Sequence, residues 1–275
     1  MWKRMPLLLR ALLSAIAVTG TATVVWGVLV QSNLQFSPKL PWAAVVMAAF
    51  LIFYWKFLSG WGWPKSTAAA RRTGLRAERL TSSAWRCSLL AGGLALASSI
   101  ALFILSHRLI RWPQPPRLDL SHIPSTTLLP TLLVSAMVAG ISEEAGFRGY
   151  LQGSLERRYG PGAAIAGASI AFGLAHLSHV AFLPAILFDI GWGAIYGLLT
   201  YLSGSILPAI ILHSSADAIE FLAAWKFPVS APTPLLWESG ADKVFWFDCG
   251  VALLLGIAAA LAFRQLARHR TPSAS

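Results

Sequence analysis

Charged side chains are missing from long stretches of this chain, and that gap limits its possible folds more than any motif does. Apolar runs of about 20 residues recur from end to end, each long enough to cross about 30 Å of hydrocarbon at about 1.5 Å per residue. Eight helical spans are predicted: Leu7 to Val30, Leu40 to Leu58, Trp85 to Leu105, Leu128 to Ser142, Gly162 to Leu177, Ala181 to Tyr201, Ile206 to Ala224 and Val244 to Phe263. The fourth and fifth are expected to be short and to carry polar residues. Charged residues make up 12% of the chain, against roughly 25% in a soluble domain, and no single water-soluble core could hide this much apolar surface. A soluble enzyme is thereby excluded. The expected fold class is all-α, a polytopic membrane protein of about eight transmembrane helices. The first run is longer than the core of about 7 to 15 residues in a cleaved signal peptide, so it is read as a retained helix.

The charge of +11 follows the same layout. With the N-terminus in the cytoplasm and alternating spans, the inside stretches collect 16 of the 22 Lys and Arg residues, as the positive-inside rule requires. Both termini are therefore expected inside. No nucleic-acid motif accompanies the basic residues, so no nucleic-acid partner is predicted. Trp61 to Ala84 is basic and Trp-containing, suited either to lying on anionic headgroups or to a solvated loop carrying topology charge. Ser106 to Thr127 holds Pro113, Pro115, Pro116 and Pro124 and is expected to form an irregular outer cap. Thr271 to Ser275 should fray. Cys87 and Cys249 form no disulfide framework or zinc spacing and are read as small core residues. No fixed-period repeat or low-complexity segment is present.

Ionisable residues at membrane depth are expensive and mark function by default. Here they gather in the second half. Glu143 and Glu144 stand at the expected end of span four, followed by Arg148; Glu144 and Arg148, four apart, share a face and can pair. Glu143 points about 100° away and is free to face the bundle. Span five carries Phe172 and His176 one turn apart, and span seven carries His213 and Asp217 at the same spacing, with Glu220 continuing the stripe. Three such patches on three spans read as one site.

The ordered motifs Glu143-Glu144-x-x-x-Arg148, Phe172-x-x-x-His176 and His213-x-x-x-Asp217 resemble the CPBP family of CAAX proteases and bacteriocin-processing enzymes, also called the Abi family. Phe147 to Gln152 and Thr200 to Ala209 are similar as well, so the resemblance covers about Leu128 to Ala224. It implies a catalytic core at 128–224, preceded by three helices at 1–127 and followed by a last helix and basic tail at 225–275. It also implies peptide-bond hydrolysis within or beside the membrane, with Glu143, Glu144, Arg148, His176, His213 and Asp217 as the site. The third motif ends in Asn or Asp in that family; Asp217 would orient His213, act protonated or serve elsewhere. Two mechanisms fit these residue types. In one, His176, His213 and Glu144 hold Zn²⁺ and the other glutamate is the base. In the other no metal is needed, a glutamate, read as Glu143, activates water, and a histidine stabilises the oxyanion. The implied partners are membrane lipid and a membrane-anchored or prenylated peptide, met in a cavity among spans four to seven that opens on the cytoplasmic side near Glu143. The cell context is read as a bacterial plasma membrane.

Other intramembrane proteases leave different marks. HExxH and GxGD are absent, and Gly167-Ala168-Ser169-Ile170 misses the serine-protease GxSG by its last residue. A proton-coupled transporter using Asp189 and Glu220 would be expected to show two corresponding halves, and none are found. An idle immunity or scaffold protein on the same fold is the remaining alternative.

Overall fold

In the computed structural model, residues 4–113, 120–178, 182–227 and 233–268 are described. Thr271 to Ser275, Pro115 and Pro116 lie outside them. The chain is all-α, with no strand among the described residues. Each apolar segment forms a helix: α1 (Leu7–Phe36), α2 (Trp42–Leu58), α4 (Ser82–Ser106), α5 (Ser125–Glu143), α7 (Pro161–Ala175), α8 (Leu183–Ser203), α9 (Leu207–Lys226) and α11 (Lys243–Arg268). Between these lie the short helices α3 (Ala68–Leu75), α6 (Gly153–Tyr159) and α10 (Leu236–Ser239). Among the described residues, six continuous helices are long and apolar enough to cross a membrane; α2 and α7, with 17 and 15 residues, are shorter.

One boundary differs from expectation in a way that matters. Span four does not end at Ser142. The helix runs on through a π-helical stretch, Glu144–Gln152, into α6, giving a continuous helix from Ser125 to Tyr159. Its charged residues looked like a helix end because hydropathy is counted locally. They are instead tolerated at depth because Glu144, Arg148 and Gln152, all fully buried, find polar partners on neighbouring helices. Apolar residues of the same stretch, Phe147, Leu151 and Leu155, pack with Ala11 and Ala15 of α1 and with Ala164, Ala168 and Phe172 of α7.

Polar turns are closed by single side chains. Buried Asn33 donates from Nδ2 to the carbonyls of Ser37 and Leu40, both at 2.8 Å, and its Oδ1 accepts from the Ala43 amide at 2.9 Å. That one amide satisfies the α1–α2 turn. The basic segment after α2 is likewise folded. Arg71 is buried, and its guanidinium lies 4.1 Å from the Phe57 ring centroid. It donates to the carbonyls of Phe57 (2.8 Å), Trp61 (3.0 Å) and Pro64 (3.1 Å). Arg71 is therefore not a solvated topology charge, whereas Trp61 and Trp63 remain exposed.

At the other end of α4, Arg108 reaches Asp242 at 3.2 Å and the Gly240 carbonyl at 3.1 Å, tying the segment after α4 to the one before α11. The Phe245 backbone N–H, at 2.8 Å, and the Arg108 guanidinium hold the Asp242 carboxyl below the usual carboxylate range. Helix α11 packs chiefly along α4, α7 along α8, and α5 along α9, while α1 crosses α5 and the π-helical stretch. The last three contacts gather the polar residues of the second half.

Candidate active site

Gly140 lets α5 and α9 approach closely, since a Cβ there would lie 2.9 Å from the Ser214 backbone nitrogen. This contact brings the glutamates to His213. Glu144 pairs with Arg148 through Oε1 at 3.0 Å, as the spacing predicted, and both side chains are wholly buried. The same Oε1 accepts the His213 Nδ1–H at 2.8 Å. Arg148 donates through Nη2 to the Gly193 carbonyl at 3.1 Å, and its guanidinium lies 4.3 Å from the Phe172 centroid and 5.4 Å from that of Tyr196. A buried arginine held on four sides fixes its carboxylate, and the carboxylate fixes the imidazole.

His213 is further held by Tyr196, whose ring stacks on it with centroids 4.8 Å apart and planes at 11°. Phe172 meets it edge-on at 5.9 Å. His176 caps the C-terminal end of α7, where its Nδ1–H donates to the Phe172 carbonyl at 2.9 Å. In the neutral ring this leaves the Nε2 lone pair facing Glu143. Glu143 Oε2 lies 4.0 Å from His176 Nε2 and 3.9 Å from His213 Nε2, and accepts no hydrogen bond of its own. Asp217 Oδ2 stands 3.6 Å from His213 Nε2. All six residues singled out from the sequence thus converge. Ser169 is turned to its own helix, donating to the Ile165 carbonyl at 2.7 Å, which leaves no nucleophile there.

Tyr196 and the carbonyls of Gly193 and Gly197 were missed in the sequence. Gly193 and Gly197 stand at a spacing that lets helices pack closely. Their carbonyls receive Arg148 and, at 2.9 Å, Gln152 Nε2, so two donors four residues apart meet two acceptors four apart. An aromatic residue between two such glycines is the one local hint, and it gains meaning only once the facing arginine is known.

Access is graded. The side chains of Glu144 and Arg148 are 0% exposed and that of His213 6%, whereas Glu143, Asp217 and His176 reach 17, 20 and 25%. Exposure therefore grows toward the His176 end of α7. The other end of α7 adjoins α6, whose Glu156 meets Arg76 of the basic segment at 3.0 Å. The more accessible side chains of the site thus lie away from that segment. Glu143 lies inside a long helix, not at its end. Asp189 of α8 is half-buried, and Glu220, three residues beyond Asp217 on α9, is exposed.

The zinc set His176, His213 and Glu144 does not close around a point. Glu144 Oε1 is committed to Arg148 and to His213 Nδ1, so the Nε2 atoms and Glu144 face different ways. Among the described residues, no three His, Cys, Asp or Glu side chains assemble as a metal site.

Comparison with known proteins points the same way as the motifs. Residues 125–219 match the family described as type II CAAX prenyl endopeptidase Rce1-like, which bears out the resemblance read from the sequence. No curated protein and no solved structure matches the chain.

Proposed function

Starting from an Rce1-like segment at residues 125–219, we propose that this integral membrane protein hydrolyses peptide bonds of prenylated or otherwise membrane-anchored substrates by a glutamate-activated water. The observation that carries this reading is the gap between Glu143 Oε2 and the two imidazole Nε2 atoms at 3.9 and 4.0 Å. The gap is too wide for direct hydrogen bonds. It is the width spanned by one water at about 2.8 Å from each group with a near-right angle between them.

Glu143 is the general base. As it takes a proton from the water, the water oxygen bonds to the scissile carbonyl carbon and the carbonyl π pair moves onto oxygen. His213, in its doubly protonated form, donates Nε2–H to that oxyanion while Glu144 holds Nδ1–H. The carbon–nitrogen bond then breaks and the proton on Glu143 passes to the leaving amine. His176, with its Nε2 lone pair turned inward, orients the water. Asp217, beside His213 Nε2, favours the doubly protonated imidazole, and Arg148 acts only through Glu144. No step needs a metal ion.

The test uses purified protein in proteoliposomes with two probes, a prenylated CAAX peptide and a leader peptide with a membrane anchor. Cleavage is expected from the wild type and its loss, by about 10⁴-fold or more, from Glu143→Gln with unchanged thermal unfolding. Metal content is measured in parallel. One zinc per active chain, lost in His176→Ala/His213→Ala, would overturn the metal-free mechanism; cleavage undiminished in Glu143→Gln would overturn the assignment of the base.

A further inference from the structure

Arg76 is the one non-glycine residue with positive φ among the described residues (φ 56°, ψ 32°). It ends α3 in the left-handed conformation, the position where glycine is commonest because a Cβ is strained there. Such a residue persists where its side chain is needed.

The contacts show what the side chain reaches. Its stem crosses Gly153, where an added Cβ would lie 2.8 Å from Arg76 Cδ. Nη1 donates to Glu156 Oε1 at 3.0 Å and, at 3.4 Å, to the carbonyl of Arg148. Glu156 Oε1 also accepts from Gln152 Nε2 at 2.8 Å, and Gln152 holds the Gly197 carbonyl beside Tyr196. The Arg76 carbonyl, in turn, accepts the backbone N–H of Ile206 at 3.1 Å, at the start of α9. One residue outside the Rce1-like segment therefore touches the π-helical stretch that carries Glu144 and the first turn of the helix that carries His213.

We propose that Arg76 is a positioning residue that sets the register of α9 against Glu144–Gln152 and so keeps His213 opposite Glu144. Its kinetic consequence rests on the hydrolase reading above; its structural consequence does not. Two substitutions separate backbone from side chain. Arg76→Gly keeps the left-handed backbone but removes the guanidinium, so the carbonyl that accepts the Ile206 N–H loses its anchor on Glu156. Arg76→Lys keeps a long cationic arm that reaches Glu156 as a point charge.

Hydrogen exchange and cleavage of the two peptide probes are measured on each variant. In Arg76→Gly, exchange should rise in peptides covering 144–152 and 206–213 and stay unchanged over 244–263. Its kcat should fall about tenfold or more with KM within about twofold, as a small misplacement of reacting groups requires. Arg76→Lys should recover kcat to within about threefold. Unchanged exchange in both peptides, or altered exchange with an unchanged kcat, would overturn the proposal. Should Arg76→Gly not fold, Glu156→Ala removes the same ion pair from the other side and is read by the same outcomes. A wild type that cleaves neither probe defeats the hydrolase reading, while the exchange pattern still decides the register.

Discussion

The fully buried residues of α8 all fall between Gly193 and Thr200, and those of α9 between Pro208 and His213. From Leu183 to Trp192 and from Ser214 to Lys226 of the same helices, none is fully buried. The site sits at the border. On the closed side are Glu144, Arg148 and Gln152 with the basic segment locked beneath them; on the open side are Asp189, Asp217 and Glu220. The difference separates two tasks. Holding an imidazole against a carboxylate needs a dry, over-determined frame, in which polar groups are expensive unless all are satisfied. Admitting an extended peptide needs the opposite.

The comparison can be broken most forcefully at Arg148. Arg148→Ala strands Glu144 in a fully buried place and should cost about 3 to 5 kcal/mol, read by unfolding in detergent; a variant as stable as wild type would show that the closed half is not dry. Gly149→Ala comes next. A Cβ there would meet the Gly74 carbonyl oxygen at 2.6 Å and that of Leu75 at 3.1 Å, so α3 must move, at about 1 to 3 kcal/mol. This exceeds the helix-propensity gain of about 1 kcal/mol.

At exposed positions of either half a substitution should be mild. Glu220→Cys and Trp63→Cys, in a background with Cys87 and Cys249 replaced by Ser, are each expected to shift stability by no more than about 0.5 kcal/mol. They should also react with a membrane-impermeant maleimide from opposite faces, and labelling from one face would remove the axis along which the halves are defined. The smallest effect is expected at Asp242. Its carboxyl is held low by the Phe245 amide and by Arg108, so the tie it makes is fully present above the ordinary carboxylate range, about pH 4. That contribution is lost as pH falls through the folded-state value. Faster exchange of the 236–243 amides under acid, reversed on neutralisation, is the measurement.

How much of this was legible in the sequence differs between the halves. The apolar blocks and the pairings Glu144–Arg148 and His213–Asp217 follow from helical periods, because they join residues one turn apart. The course of the helix beyond Ser142 does not. A charged cluster in a hydropathy window reads as an end, and only the facing carbonyls of Gly193 and Gly197 make Arg148 and Gln152 tolerable inside. Arg71 and Arg76 were hidden for the same reason: counted as topology charge, Arg71 instead ties the carbonyls of its own turn and Arg76 pairs with Glu156, 80 residues on. Asn33 and Tyr196 likewise gain their roles from partners that no local pattern names.

Helix α7 has 15 residues, a length of about 22 Å, and a tight turn at Gly160 separates it from α6. A bilayer of about 30 Å is mismatched to so short a wall. Under the proposed hydrolase reading, thinning at the end that carries His176 would draw headgroup water down to the imidazole and hydrate the scissile bond while a substrate's lipid anchor stays in the hydrocarbon.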